Sequence, residues 1–291
     1  MSSFAKYLMA AAGNTSSAEE GADYREASEY THIAFDTVIQ SGDSSSDIRG
    51  LFIKSDGTKF YHMDSAEVLE EYNLSTAFDI TSHGNRISQV NLRTLSSTAN
   101  SAGSSIFFKP DGTKVWCSDL DDFLYEYTLS TAWDISTISY TRSLNLTSPF
   151  NQFSGLYFSP DGTKLFGIDP NLDRIKRFDM STAWDITTAS YNSQSSLLDL
   201  AYTASEDTPI CFWMSDDGLI AYIVGTTRDY LFSWNLTTAW AITEINTYAD
   251  SFVYIGSQEG AARDMCFSPD GRYIYIGGAA GNGVDVWDRG A

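Results

Sequence analysis

The stretch GLFIKSDGTKFYHMD, from Gly50 to Asp64, recurs along the chain, and in each copy two apolar runs flank a turn centred on Asp-Gly. The other copies read SIFFKPDGTKVWCSD from Ser105, GLYFSPDGTKLFGID from Gly155, FWMSDDGLIAYIVG from Phe212 and MCFSPDGRYIYIGG from Met265. The turn glycines are Gly57, Gly112, Gly162, Gly218 and Gly271. A period of about 53 residues lies in the range for β-propeller blades, each of which is one small sheet.

Each copy predicts a β-hairpin. Pro presets φ at the start of the turn, Asp accepts local backbone hydrogen bonds, and Gly takes the positive-φ position before the second strand. This role in the turn explains the repeated aspartates without any catalytic function. These are Asp56, Asp111, Asp161, Asp217 and Asp270.

A third and a fourth strand follow the hairpins. The third shows alternating aromatic residues, as in Phe123, Tyr125 and Tyr127, which is the period of a sheet with two unlike faces. A second motif comes next, at Ser75, Ser130, Ser181 and Thr237, and reads STAFDI, STAWDI, STAWDI and TTAWAI. Its first residue can cap a single helical turn. A fourth strand, such as SYTRSLNL from Ser139, follows the motif.

The fifth copy has no fourth strand after its third, GVDVWDR. The segment HIAFDTVIQSG, residues 32–42, precedes the first hairpin and is a spare strand. We expect it to complete the last blade, with Phe35 and Val38 closing the ring beside Val284 and Trp287. Closure removes exposed strand edges, which favour aggregation. The sequence therefore predicts an all-β five-bladed propeller of four-stranded blades, closed by an N-terminal strand and preceded by a short helical leader.

Three regions are predicted: a leader at residues 1–13, a polar linker at 14–29 and the propeller at 30–291. In the leader, Phe4, Tyr7, Leu8 and Ala11 have the spacing of one helix face. An isolated apolar helix this short is marginal unless a partner covers it. We interpret it as a docking peptide. The alternative is a tail that packs on its own propeller or frays.

Composition narrows the classes of partner. The formal charge of −20 and the pI of about 4.3 oppose binding to nucleic acid and to anionic membranes. No apolar run is long enough for a transmembrane helix. The three cysteines, Cys117, Cys211 and Cys266, lie in strand-like runs and have no regular spacing, so we expect buried free thiols. No metal site and no cofactor are predicted.

Few residues suggest chemistry. The dispersed histidines His32, His62 and His83 form no recognisable catalytic spacing. Acidic residues near strand ends could converge as a glycosidase pair. The candidates are Asp64, Asp119, Asp169 and Asp264. DPNLD at 169–173 and SGDSSSD at 41–47 carry oxygen ligands, but neither has the spacing of a calcium loop. We predict that the protein is not an enzyme.

The repeated motif places one aromatic residue at an equivalent position in four blades: Phe78, Trp133, Trp184 and Trp240. Exposed rings at such positions would stack on sugars, and several weak sites would give avidity. The other interpretation is that each ring holds its loop to the blade.

The pattern of strand, SPDGTK, strand, gap and strand resembles YVTN-type and related propeller repeats over roughly residues 30 to 288. The combination of PDGTK with YEY and LSTAWDIST resembles propeller proteins of tailed bacteriophages, found among virion structural proteins. FAKYLMAAAG, residues 4–13, resembles a leader shared by several phage virion proteins. This resemblance implies a leader that docks the propeller into a tail or head component.

We therefore expect a non-enzymatic phage virion structural protein, tail-associated as a fibre, adaptor or receptor-contact component, in a virion assembled in the host cytoplasm. Its partners would be other tail or capsid proteins and a host-surface glycan or receptor. The alternatives are a capsid decoration or head-fibre protein, and a multivalent lectin.

Overall fold

The computed structural model describes residues 26–36, 47–96, 102–197, 208–227, 229–245, 249–279 and 283–290. In these ranges the chain forms five antiparallel sheets of four strands each. The predicted all-β five-bladed propeller is confirmed. The leader at residues 1–13 and most of the linker lie outside the described residues.

Four blades are continuous in sequence. The first contains β2 (Ile48–Ile53), β3 (Lys59–Asp64), β4 (Val68–Asn73) and β5 (Ser88–Asn91). The second contains β6 (Gly103–Phe108), β7 (Lys114–Asp119), β8 (Phe123–Leu129) and β9 (Ile138–Asn145). The third contains β10 (Ser154–Phe158), β11 (Lys164–Asp169), β12 (Arg174–Met180) and β13 (Ala189–Leu197). The fourth contains β14 (Pro209–Met214), β15 (Ile220–Gly225), β16 (Tyr230–Asn235) and β17 (Ser251–Tyr254).

The fifth blade is built from β18 (Ala262–Phe267), β19 (Tyr273–Gly278), β20 (Val284–Asp288) and the N-terminal strand β1 (Thr31–Asp36). In register, β1 sets Phe35 opposite Asp285 and His32 opposite Trp287. The predicted closure by an N-terminal strand is therefore confirmed. Val38 lies outside the described residues.

Burial falls from the centre of the ring outwards. The first strands of the blades meet one another around the axis, and every residue of β6, β10 and β14 is buried. The outer strand β9 is mostly exposed. Strands buried on both faces are almost continuously apolar, which explains why the inner strands lack a clear alternation.

Only one short α-helix, α1 (Leu92–Ser96), occurs in these residues, together with single 3-10 turns. The described residues include no helix that is both long enough and apolar enough to span a bilayer.

The repeated STAWDI motif forms a 3-10 turn before the outer strand, as predicted. The predicted cap is wrong, because the turn is capped by the Asp of the motif in the first three blades and not by its opening Ser or Thr. In the second blade the carboxylate of Asp134 accepts a hydrogen bond from the Ser136 amide, and Ile135 is fully buried. The equivalent turns are Ile80–Ser82, Ile186–Thr188 and Ile242–Glu244. The buried residue of each turn packs beneath the outer edge of the preceding blade.

The fifth turn comes from the N-terminal segment. Ala27–Glu29 forms a 3-10 turn immediately before β1, with Ala27 buried at the position that Ile135 occupies in its own turn. The amide of Ala27 donates to the hydroxyl of Ser233 at 2.8 Å, and that of Ser28 donates to Ser251 at 3.0 Å. Residues 26–29, predicted as linker, thus contact the fourth blade, and the ordered contacts begin before the predicted boundary at residue 30.

Tyr30 follows this turn and joins it to the fifth blade. The side chain is 1% exposed, its hydroxyl donates to the Gly271 carbonyl at 2.6 Å, and its ring meets Phe267 edge-on at 6.0 Å. The N-terminal segment therefore contributes a turn, a buried ring and a strand to the closure.

Replacing Tyr30 by Ala should lower the free energy of unfolding by about 3–5 kcal/mol, because a buried ring and its hydrogen bond are removed from the closure. Urea denaturation measures the change. The matched control is Ile33→Ala on the same strand, where the side chain is 53% exposed and the expected change is below about 0.5 kcal/mol. Equal effects of the two substitutions would contradict the role assigned to Tyr30.

Candidate functional site

The inner strands line the axis with two layers of side chains. Counting back five residues from each turn glycine gives Phe52, Phe107, Tyr157, Trp213 and Cys266; counting back seven gives Gly50, Ser105, Gly155, Cys211 and Asp264. Positions two apart on a strand point to the same face, so both layers face the axis. Ring contacts across the ring of blades confirm this: Phe107 lies 6.0 Å from Trp213, between blades that are not neighbours.

Four residues of the first layer, together with Phe267 from the fifth blade, line a cavity of about 280 Å³ that opens on the face carrying the P-D-G turns. We call this cavity the aromatic funnel. All five blades line it, through Phe52, Ile53, Ser55, Phe107, Phe108, Pro110, Trp133, Tyr157, Phe158, Pro160, Trp213, Asp216, Phe267 and Pro269. Its wall is mainly aromatic, and Asp216 is the acidic side chain among these residues.

Trp213 has an unusual place in this wall. Its side chain is nine-tenths buried, yet its indole Nε1 has no hydrogen-bond acceptor among the described residues. An indole N–H is a donor only, and a buried donor without an acceptor costs free energy. The funnel therefore holds stacked rings together with one unsatisfied donor.

The second layer is polar and closes the axis. Asp264 is 2% exposed; its carboxylate accepts from the Leu51 amide at 2.9 Å, and the Cys211 thiol donates to it at 2.8 Å. The hydroxyl of Ser105, from a blade not adjacent to that of Asp264, lies 3.4 Å from both carboxylate oxygens.

Burial governs the titration of this layer. It raises the pKa of Asp264 to about 7, and the hydrogen bonds from Cys211 and Leu51 oppose the rise. Burial also raises the pKa of the thiols of Cys211 and Cys266 well above the usual value, with Asp264 adding to the effect. A thiol with a raised pKa holds little thiolate at neutral pH and is a weak nucleophile.

The predicted sugar-stacking aromatics lie on the P-D-G face, each against the turn of its own blade. The amide of Trp133 donates to the Gly112 carbonyl at 3.0 Å, and a Cβ added to Gly112 would lie 2.4 Å from the indole. Trp133 itself has a positive φ of 65°. The same arrangement recurs for Phe78 on Gly57, Trp184 on Gly162 and Trp240 on Gly218.

These four residues also bind the blades to each other. The Trp133 carbonyl accepts from the Tyr61 hydroxyl of the first blade at 2.7 Å, and its ring stacks 6.3 Å from Phe52. The carbonyls of Phe78, Trp184 and Trp240 accept from Tyr275, Lys114 and Arg177 of the respective preceding blades. All four rings are half-buried, so this geometry fits the interpretation in which each ring holds its loop. Sugar stacking by the remaining exposed surface stays a prediction.

The acidic candidates do not come together. Asp64, Asp119 and Asp169 end the second strands of their blades, on the face opposite the funnel, whereas Asp264 lies on the axis. Asp119 accepts from the amide of Phe123 and the hydroxyl of Tyr125, each at 2.9 Å, and Asp169 pairs with Lys176 at 2.5 Å. Within the described ranges, no cluster of three metal-ligating side chains was found.

The histidines are also separate. His32 on the closing strand lies 2.6 Å from the Asp285 carboxylate, and His62 lies 3.1 Å from Glu70. His83 lies in the first blade beside Tyr72. Val284 and Trp287 lie in β20 at the ring closure, as described above. The leader residues Phe4, Tyr7, Leu8 and Ala11 fall outside the described residues.

The sequence analysis did not identify the two axial layers, although their residues lie at fixed distances before the turn glycines. Counting back five residues from each turn glycine gives the aromatic wall residue in four blades, and in the fifth it gives Cys266, next to the wall residue Phe267. These side chains line one cavity because they all point towards the same axis. The sequence alone does not show that direction.

Comparisons with known proteins give little beyond the fold. Neither the protein-family models nor the curated proteins give a match to this chain. Among solved structures, the chain is similar to a protein of Bacteroides uniformis ATCC 8492, provisionally designated a 6-phosphogluconolactonase. The identity is 15%, the TM-score is 0.48, and the match covers 82% of this chain and 67% of the other.

Replacing Gly112 by Ala should destabilise the protein by about 3 kcal/mol, because the new methyl group would displace the Trp133 ring and φ is +72°. Thermal or urea unfolding measures the change. Gly84→Ala is the control, since an added Cβ there meets nothing within 4 Å. A Gly112 variant as stable as this control would show that the ring contact contributes little.

The stability of the native chain should fall relative to that of an Asp264→Asn variant as the pH rises from 5 to 8. The folded pKa of about 7 exceeds the usual value of 3.8, so between pH 5 and 7 the folded chain still holds a proton that the unfolded chain has already released. The relative loss is about 2–3 kcal/mol and ends above pH 7. Urea midpoints at each pH measure it, with the exposed Asp121→Asn as control. Parallel pH profiles for the native and Asp264→Asn chains would exclude a raised pKa.

Proposed function

We propose that the protein is a non-enzymatic structural component of a tailed-bacteriophage virion, tail-associated and attached through its N-terminal leader. The observation that carries the non-enzymatic part is the chemistry of the aromatic funnel. This mouth of the propeller axis presents stacked rings where a hydrolase would present convergent carboxylates or an activated nucleophile.

The polar groups nearest the axis support the same conclusion. Asp264 is held by hydrogen bonds beneath the aromatic layer, and the pKa of the adjacent Cys211 thiol is raised by burial. Asp64, Asp119 and Asp169 accept hydrogen bonds within their own loops on the opposite face. Among the described residues these acids serve the fold.

The funnel suits protein-protein contact. Aromatic residues in a rigid, largely desolvated pocket are typical anchors of interfaces. The cavity of about 280 Å³ is just below the usual range of small-molecule sites, and it is large enough for a few apolar side chains. A rigid propeller that binds another protein through its aromatic funnel would suit a tail fibre or adaptor.

The virion assignment itself rests on the resemblance of the STAWDI repeats and of FAKYLMAAAG to phage proteins. A capsid decoration or head-fibre role uses the same propeller and leader and is the second candidate. Binding to a host-surface glycan would add to either role, through the exposed parts of the Trp133, Trp184 and Trp240 rings.

The decisive experiment compares phage particles that carry the native gene with particles that carry a leader variant in which Phe4, Tyr7 and Leu8 are replaced by Ser. We expect the native chain in purified virions and at least a tenfold loss for the variant, measured by quantitative mass spectrometry. A chain with Ser2 and Ser3 replaced by Ala is the control and should be incorporated normally. Absence of the native chain from particles would refute the proposal.

The non-enzymatic assignment is tested separately on the purified protein. Sugar lactones and bacterial surface polysaccharides should be hydrolysed no faster than in buffer alone. Turnover that disappears in an Asp264→Asn variant would contradict it.

A further inference from the structure

The aromatic funnel and the start of the described chain lie on the same face of the propeller. Glu26 is beside the end of β16, where its carboxylate accepts from the Asn235 amide group at 2.9 Å. Tyr30 then reaches the P-D-G turn of the fifth blade at Gly271. The preceding residues therefore begin near the boundary of the fourth and fifth blades, which contribute Trp213, Asp216, Phe267 and Pro269 to the funnel.

The distance from this point to the funnel is short compared with the chain available. β16 is two strands from the inner strand β14, which corresponds to about 10 Å at the usual strand spacing. The 12 residues from 14 to 25 can span up to about 40 Å when extended. A connection of this length gives an attached segment an effective concentration on the order of millimolar at a site on its own chain.

The leader and the funnel are chemically complementary. Phe4, Tyr7 and Leu8 offer large apolar side chains to a wall of aromatic rings. The backbone carbonyls of any inserted segment are acceptors of the kind that the unsatisfied indole N–H of Trp213 lacks.

The charges are also complementary. In a chain of net charge −20, residues 1–18 contain no acidic residue, and the leader carries Lys6. The funnel rim on the side where the described chain begins carries the exposed carboxylates of Asp216 and Asp217. In the turn of the second blade, Pro110 stands at the position of Asp216 and Asp111 at that of Asp217. Asp111 pairs there with Lys109 at 2.5 Å.

We infer that, in the free protein, the leader at residues 1–13 docks into the aromatic funnel of its own propeller, with its apolar residues among the rings and Lys6 at the Asp216 side. This inference goes beyond the proposed function, which concerns the leader in the assembled particle. The self-docked leader covers the apolar mouth until a partner competes for one of the two surfaces.

The test uses the full-length protein with Phe4 replaced by the photoreactive analogue p-benzoylphenylalanine. After irradiation, we expect cross-links from position 4 to the funnel, at Phe107, Trp213 or Phe267, in a product of monomer mass. The control places the same analogue at Ser17 in the linker, where funnel cross-links should be at background. Products of dimer mass, or cross-links only outside the funnel, would overturn the inference.

A charge exchange tests the orientation in the same assay. Lys6→Glu should lower the ratio of docked to undocked leader about fivefold, and adding Asp216→Lys should restore it. Adding Asp121→Lys instead, an equal charge change on the opposite face, should restore nothing. Restoration by both second substitutions, or by neither, would overturn the contact between Lys6 and Asp216. Because only free protein is used, these results do not depend on whether the chain enters a virion.

Discussion

The pairing of β1 with β20 is the constraint on which the rest of this structure depends. A propeller ring is stable only when each blade packs against two neighbours, and here the last sheet is completed by residues that precede the first sheet. The contribution is larger than one strand. The turn at Ala27–Glu29 and the buried ring of Tyr30 join the fourth and fifth blades before β1 begins, so separating the N-terminal segment would expose both a sheet edge and a blade interface.

Closure of the ring also explains why the axis is lined by an aromatic layer at one level and by a polar layer at the next. Once the blades are fixed in a circle, positions with the same register face a common centre, and the side chains there must share a small volume. A layer of mainly aromatic residues therefore lies above a layer where Ser105 and Cys211 contact the single carboxylate of Asp264. The upper layer leaves an apolar cavity, and the lower one closes the channel beneath it. The cavity therefore opens on one face of the ring, and the Asp264 carboxylate is buried beneath it.

The repeated motif after the third strand connects the blades at the periphery as the inner strands do at the centre. A ring placed flat on a glycine needs both partners: glycine, because any Cβ would collide with the ring, and the positive φ of the aromatic residue itself. Through its carbonyl the same residue accepts a hydrogen bond from the preceding blade. The same residue therefore packs on the turn of its own blade and forms a hydrogen bond with the preceding blade. In the fifth blade, Tyr30 follows the 3-10 turn, and its hydroxyl donates to the carbonyl of the turn glycine Gly271.

The sequence by itself determined the number of blades, the hairpins, the 3-10 turns and the strand that closes the ring, because each depends on local patterns: Asp-Gly turns, alternating side chains and the repeated STAWDI motif. It assigned the cap of these turns to the opening Ser or Thr, whereas the structure assigns it to the Asp of the motif. The sequence did not reveal that Ala27 takes the position of the repeated isoleucine or that Tyr30 binds the turn of the fifth blade, since neither residue stands in a recognisable motif. Only the tertiary structure decided which of many acids approach the axis and which rings form a cavity. Asp64 and Asp264 are similar in sequence, each in or beside a strand, but the radial position of a strand is a property of the closed ring. The radial position of its strand therefore decides that Asp64 accepts hydrogen bonds from its own loop, whereas Asp264 is buried at the axis.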